Sequence, residues 1–164
     1  MMHEDDGQLE GAFPRRDHDH VRCVADAMSD AVALCRARGV RLTPVRSRVL
    51  EIVWQNHKPL GAYDILAVLA AEGRSSAPPT VYRALEFLLE QGLVHRLSSL
   101  NAFVGCSRPG HAGSGQFLIC RSCGNAAELN DEGVEGAITR SAASQGFAVH
   151  GHTVEINGVC PDCR

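Results

Sequence analysis

From Val21 onward, apolar residues recur with a helical period in four successive stretches, each closed by glycine or proline. Val21, Val24, Met28, Val32 and Cys35 form the stripe of the first, which stops before Gly39. The second has Thr43 as its cap and Pro44, whose missing N–H is harmless there, as its first residue; it buries Val45, Val49, Ile52 and Val53. Pro59 and Gly61 break the chain before a third helix (Tyr63, Ile65, Leu66, Val68, Leu69) that runs to Gly73. The fourth begins at Pro78-Pro79, keeps Val81, Leu85, Leu88 and Leu89 on one side and ends at Gly92.

Beyond Gly92 the pattern turns extended. Leu93 to Leu97 and Ala102 to Cys106 flank Ser98-Ser99-Leu100-Asn101 and predict a hairpin. Helices followed by a hairpin describe a winged helix-turn-helix, in which the helix over 79–91 enters the DNA major groove N-terminus first. At about 100 degrees per residue, Arg83 lies nearly opposite the apolar stripe of that helix, flanked by Tyr82 and Glu86.

After a Gly/Pro-rich break, Phe117-Leu118-Ile119 and Ala126 to Leu129 read as strands, Val134 to Gln145 as a helix, and Phe147 to Val149 and Thr153 to Ile156 as strands again. This α/β unit, of about 50 residues, is marginal for independent stability without a metal or a partner. The expected class is α+β, an N-terminal winged helix-turn-helix domain followed by a small α/β domain. The divisions fall at 1–20 (a disordered tail), 21–106 (the winged helix), 107–115 (a hinge) and 116–164 (the small α/β domain).

Composition narrows the class. The chain is 45% hydrophobic with a net charge of -3, and no run approaches the ~20 apolar residues of a membrane span. The N-terminus lacks the basic start and apolar middle of a secretion signal, so a cytoplasmic location is expected. The charge is uneven: residues 1–20 carry -4, 21–99 carry +3 and 100–164 carry -2. A basic middle beside acidic ends points to nucleic acid. His18-Asp19-His20, in the tail, is a cluster that could touch metal, although a solvated tail is the simpler reading.

Seven cysteines in a reducing compartment suggest metal ligands or redox groups before disulfides. Cys120-Arg121-Ser122-Cys123-Gly124 and Cys160-Pro161-Asp162-Cys163 are two C-x-x-C turns, and two such turns supply the tetrahedral thiolate set that zinc prefers. A redox C-x-x-C would occur once, at the start of a helix in a βαβ unit. Four thiolates leave no open position, so the site suits a structural role, and regulation or catalysis needs other ligands. His95, Cys106, His111, Glu128, His150 and His152 are the candidates, while Cys35 reads as a small core residue.

The run Arg41-Leu42-Thr43-Pro44-x-Arg46, then Ala62-Tyr63-Asp64, Pro78-Pro79-Thr80-Val81-Tyr82-Arg83-Ala84-Leu85-x-Phe87-Leu88, Gly92-Leu93-Val94-His95 and the two C-x-x-C pairs resembles the ferric-uptake-regulator family over about residues 30–164. Within it the chain is similar to the zinc-uptake regulators, on the stretch 78–92 and on a histidine followed eleven residues later by a cysteine. The resemblance implies a homodimeric repressor of zinc-uptake genes, with residues 116–164 as a small α/β zinc-binding dimerisation domain, that holds two zinc ions per chain, binds double-stranded operator DNA at an inverted repeat and takes no small-molecule substrate. It implies structural ligands at Cys120, Cys123, Cys160 and Cys163 and sensing ligands at His95, Cys106, His111 and Glu128. A thiolate among imidazole and carboxylate groups favours zinc over harder ions.

Two departures bear on the fourth sensing ligand. The interval from Cys106 to His111 is short for that branch, and Gly110-His111-Ala112-Gly113 stands where iron sensors carry a His-rich run; His152 is the substitute. On the DNA side, Tyr82 and Arg83 are expected to reach base edges, with Thr80 and the helix N-terminus on phosphate. The alternatives are a family member sensing iron or manganese, or a thiol redox sensor. A zinc deaminase is disfavoured, because its H-x-E partner is missing and Pro161 follows a cysteine instead of preceding it. No enzymatic activity is expected.

Overall fold

The computed structural model describes residues 11–14, 18–74, 77–110 and 114–164. The chain runs α1 (His20–Ala37), α2 (Pro44–Trp54), α3 (Ala62–Ala71), α4 (Pro78–Glu90), β1 (Val94–Leu97), β2 (Ala102–Gly105), β3 (Ser114–Cys120), β4 (Ala126–Glu128), α5 (Glu132–Ser144) and β5 (His152–Gly158), then a 3-10 turn (Pro161–Cys163). Local chemistry sets the helix starts. The Asp19 side chain accepts from the N–H of Arg22, Thr43 from that of Arg46, and Asp64 from that of Gly61, which satisfies donors that have no partner in the first turn.

The first four helices share one core. Ala31 and Cys35 of α1, Val49, Leu50, Ile52 and Val53 of α2, Ile65 and Leu69 of α3, and Val81, Ala84, Leu85 and Leu88 of α4 are buried together. The expected stripes need three corrections. Val21 is 81% exposed and Val32 also faces outward, because the first turns of α1 overhang the body and Val32 is rotated about 60 degrees beyond Cys35. Tyr63, placed in the stripe of α3, is 71% exposed, since it lies about 100 degrees from Ala62 on a helix whose inner face is Ala62, Ile65 and Leu69. Finally, residues 147–149 form no strand, and Phe147 is exposed.

The wing is the antiparallel pair β1–β2, His95 opposite Val104. The second sheet has the order β4-β3-β5; β3 runs antiparallel to β4 and parallel to β5, with α5 as the crossover. It has little core of its own. No residue of α5 is buried, and the small cluster under the sheet joins Phe117 and Ile119 to Leu97 of the wing, with Val104 and Ala126 packed alongside. Two of those five residues come from the winged helix.

Candidate metal centres and nucleic-acid interface

The parallel register sets Cys120 opposite Gly158, so the turn after β3 meets the chain just beyond β5. Cys120, Cys123, Cys160 and Cys163 bring their four sulfurs within 4.8 Å of one another. Cys123 and Cys160 lie 3.8 Å apart through their sulfurs, and the backbone N–H of Cys160 donates to the Cys120 sulfur at 3.3 Å. Such N–H groups, from Cys123 and Cys160 foremost, pull the Cys120 thiol down to about 6. A sulfur that backbone donors favour as thiolate is ready for a metal.

A second cluster lies where wing and sheet meet. His95 of β1, Cys106 just after β2 and Glu128 at the end of β4 converge with their ligand atoms within 4.8 Å of one another. His95 is 8% exposed and Cys106 1%. The His95 Nε2 stands 3.4 Å from a Glu128 oxygen yet is buried with no hydrogen-bond partner. A buried polar atom left in this state is costly unless something fills the place it faces, and an imidazole, thiol and carboxylate set matches zinc.

The surroundings orient these ligands. The other Glu128 oxygen accepts from the N–H and the hydroxyl of Ser107, at 2.8 and 2.6 Å, and the Cys106 S–H donates to the carbonyl of Arg108 at 3.0 Å. Burial pushes the Glu128 carboxyl up, but the adjacent His95 ring and hydrogen bonds from Ser107 outweigh it and hold the group below its ordinary value. Burial, with Glu128 adding to it, pushes the Cys106 thiol up to about 12. Gly115 leaves space for the His95 ring: a Cβ there would sit 2.6 Å from the Phe117 ring and 3.3 Å from the His95 Nδ1.

Of the fourth-ligand candidates, His111 lies outside the described residues. His152 begins β5 and lines a cleft with Glu128, Arg108 and Glu135, beside the three-residue cluster but not within it. His150 is exposed just ahead of β5. Sequence reasoning passed over His57, a lone loop histidine with no spacing signal, whose ring gathers with those of His18 and His20.

Thr80, Tyr82 and Arg83 are all exposed on α4. Arg83 forms no ion pair among the described residues. Nearby, the Arg46 guanidinium lies over the Phe87 ring at 3.7 Å and donates to the Arg41 carbonyl at 2.7 Å. It ties α2 to α4.

A winged helix whose hairpin shares buried ligand atoms with an appended sheet is built to make a DNA-reading surface answer to a metal. The Ferric uptake regulator family matches residues 37–157, and the chain belongs to that family. It is 40% identical over 141 residues to the zinc uptake regulation protein of Escherichia coli (strain K12), covering 84% of this chain and 81% of that protein. Among solved structures it is similar to a zinc uptake regulator complexed with zinc and DNA, at 38% identity and a TM-score of 0.78, covering 85% of this chain and 94% of the other. It also matches the holo form of XcZur, at 41% identity and a TM-score of 0.77, over 84% and 96% of the two chains. Against the apo form, at 40% identity and 85% and 97% coverage, the TM-score falls to 0.51.

Proposed function

We propose that the protein is a homodimeric zinc-responsive repressor that binds operator DNA of zinc-uptake genes when zinc is plentiful. The observation that carries this is the buried, unpartnered His95 Nε2 facing Cys106 and Glu128 across the joint between wing and sheet. The zinc- and DNA-bound state of a regulator 38% identical to this chain supports it.

In this reading residues 21–106 form the DNA-binding domain, 107–115 the hinge and 116–164 the dimerisation domain, and the chain holds two zinc ions for this function. Cys120, Cys123, Cys160 and Cys163 hold the structural one. His95, Cys106 and Glu128 hold the sensing one, with His111, or His152 in its place, as the fourth ligand. Bound there, zinc supplies a divalent charge shared by ligands from both domains and so acts as corepressor. The sets serve regulation, not catalysis, and the work on DNA makes the cytoplasm the protein's compartment.

The chain's own groups do the rest. His95 and Cys106 sit together at the base of the wing hairpin, where β1 begins and β2 ends, so holding both against Glu128 fixes the wing, and with it α4, relative to the dimerisation sheet. Two recognition helices fixed in this way across a twofold axis present themselves to successive major-groove faces of one inverted repeat. Arg83 and Tyr82 read base edges there, and Thr80 holds phosphate. The dimer face is the outer side of the second sheet, where β5 has a free edge and Phe147, Ile156 and Val159 are exposed.

The deciding experiment is operator binding measured against buffered free zinc and repeated with iron(II) and manganese(II). Zinc is expected to drive binding at the lowest free concentration. Binding without metal, or an equal response to iron or manganese, overturns the reading.

A further inference from the structure

His18, His20 and His57 form a cluster separate from both cysteine-containing sets, each offering a ring nitrogen, with these atoms within 4.8 Å of one another. Their ring centroids are 4.8 to 5.5 Å apart. The Nε2 atoms of His57 and His18 meet at 2.9 Å. One must carry a proton and the other a lone pair, since a neutral imidazole has one donor and one acceptor nitrogen. His20 is more specific. Its Nε2 lies 2.9 Å from the main-chain oxygen of Gln55, and a carbonyl only accepts, so the proton sits on Nε2 and the Nδ1 is a bare lone pair. That Nδ1 is buried and has no hydrogen-bond partner. A carbonyl behind one ring nitrogen and an open lone pair on the other is how metal-bound imidazoles are held.

Apolar packing does not account for this gathering. The buried residues of α1 are Ala31 and Cys35, in its second half, and Val21, next to His20, points into solvent. The rings themselves join the start of α1 to the link between α2 and α3. Asp19, between the two tail histidines, is engaged as the helix cap, accepting from the Arg22 N–H at 3.0 Å.

We propose that His18, His20 and His57 form a third metal site, taking zinc(II), that fastens the start of α1 to the α2–α3 link. Three neutral imidazoles suit tetrahedral zinc with one position open to water, and they suit oxygen-seeking ions such as magnesium and manganese poorly. Without a thiolate the site is weaker than the two cysteine-containing sets, so it fills last. Its place ties it to the domain joint: the main-chain oxygen of His57 accepts from the N–H of Ala126 at 3.0 Å, two residues before Glu128 on β4. A cavity of about 360 Å³ lined by Cys23, Trp54, His57, Cys106 and Glu128 runs between the two regions.

The test is zinc content of the full chain titrated against a chromophoric chelator, with no DNA present, for wild type, His57→Ala and His18→Ala. His18 precedes α1, so its removal leaves the core intact even should the His57 variant be less stable. Wild type is expected to bind a third, weakest equivalent beyond those of the cysteine-containing sets. Each variant should weaken that equivalent by more than the about 10–100-fold that loss of a supporting hydrogen bond costs, with the tighter equivalents unchanged. Cobalt(II) entering last should show ligand-field bands without adding to the thiolate charge-transfer band. A wild-type chain that saturates without this equivalent, a variant that keeps it at wild-type affinity, or a last-bound cobalt that adds thiolate charge transfer overturns the proposal. The readout is metal content and spectrum, so it stands or falls separately from the repressor reading.

Discussion

Replacing Cys106 by serine removes the one sulfur from the set formed with His95 and Glu128 and leaves the four-cysteine cluster untouched. The metal-free fold should hardly notice. The side chain is buried and its S–H donates to the Arg108 carbonyl at 3.0 Å; a serine hydroxyl can keep that bond, which bounds the loss at about 1 kcal/mol. The effect on metal is larger. Loss of a hydrogen bond that merely supports a ligand weakens metal binding about 10–100-fold, so loss of the ligand itself should weaken the sensing zinc by more than ~100-fold, or more than ~2.8 kcal/mol at about 1.4 kcal/mol per decade. Zinc biases the domain arrangement only by its differential affinity for it, so the midpoint of operator binding should move to higher free zinc by a comparable factor, or disappear. The assay pairs zinc retained per chain against a chelator with fluorescence anisotropy of labelled operator over buffered free zinc, and a melting curve checks the fold. A mutant with an unchanged binding curve and no loss of tightly held zinc would refute the reasoning and move the sensing site to His152 or His150.

Arg83→Ala should cost about 1 to 3 kcal/mol on the cognate operator and much less on random DNA, read by competition binding; equal losses would make Arg83 a phosphate contact. Cys163→Ser should lower the melting temperature sharply and dissociate the dimer, because zinc held by four thiolates contributes folding free energy on the order of 10 kcal/mol; sedimentation showing a stable dimer with that zinc lost would contradict it. The pH dependence follows from the Cys106 thiol, pushed up to about 12 by burial and Glu128: it is protonated throughout the physiological range, so binding at the sensing site must expel its proton. From this thiol alone, affinity should rise about tenfold per pH unit between pH 7.5 and 8.5 and fall as the medium is acidified. Calorimetry in buffers of different ionisation heat should count that proton, and a profile shared by Cys106→Ser would disprove its source.

Features written in local chemistry were legible in the chain. Thr43 and Pro44 cap α2 by residue type alone, and a C-x-x-C turn aims two sulfurs at one point whatever surrounds it. What required the fold was anything dependent on what lies opposite. The stripe through Val21 is periodic, but the core ends before reaching it; Tyr63 is apolar enough to be counted inward, yet one residue of rotation puts it outside. Phe147 to Val149 alternates like a strand, but β3 is already paired on both sides, by β4 and β5, and no inner edge remains for it. His95, Cys106 and Glu128 were legible only as scattered candidates until the family resemblance grouped them with His111, since they lie on β1, just after β2 and on β4. The imidazole cluster was half visible, because His57 is 39 residues from His18 and nothing in its immediate neighbours marks it.

The joint between the domains explains how one small ion can have leverage over a DNA-reading surface. Leu97 and Val104 of the wing already pack with Phe117, Ile119 and Ala126 of the sheet. At the tip of the wing, Glu155 of β5 accepts from the N–H groups of Ser98 and Ser99, at 2.6 and 3.2 Å. Gly105 admits the Trp54 ring where any side chain would overlap it, which lets β2, just ahead of Cys106, lie against α2. Driving a two-state equilibrium from 1:99 to 99:1 takes about 5.5 kcal/mol of differential binding. Apolar contact and the Glu155 clasp supply part of the preference for this arrangement without any metal, so the proposed sensing site needs only to supply the remainder. In the proposed reading its buried His95 nitrogen, without a hydrogen-bond partner until a metal arrives, makes the metal-free form of the same arrangement the less favourable one, and occupancy of that site sets the response.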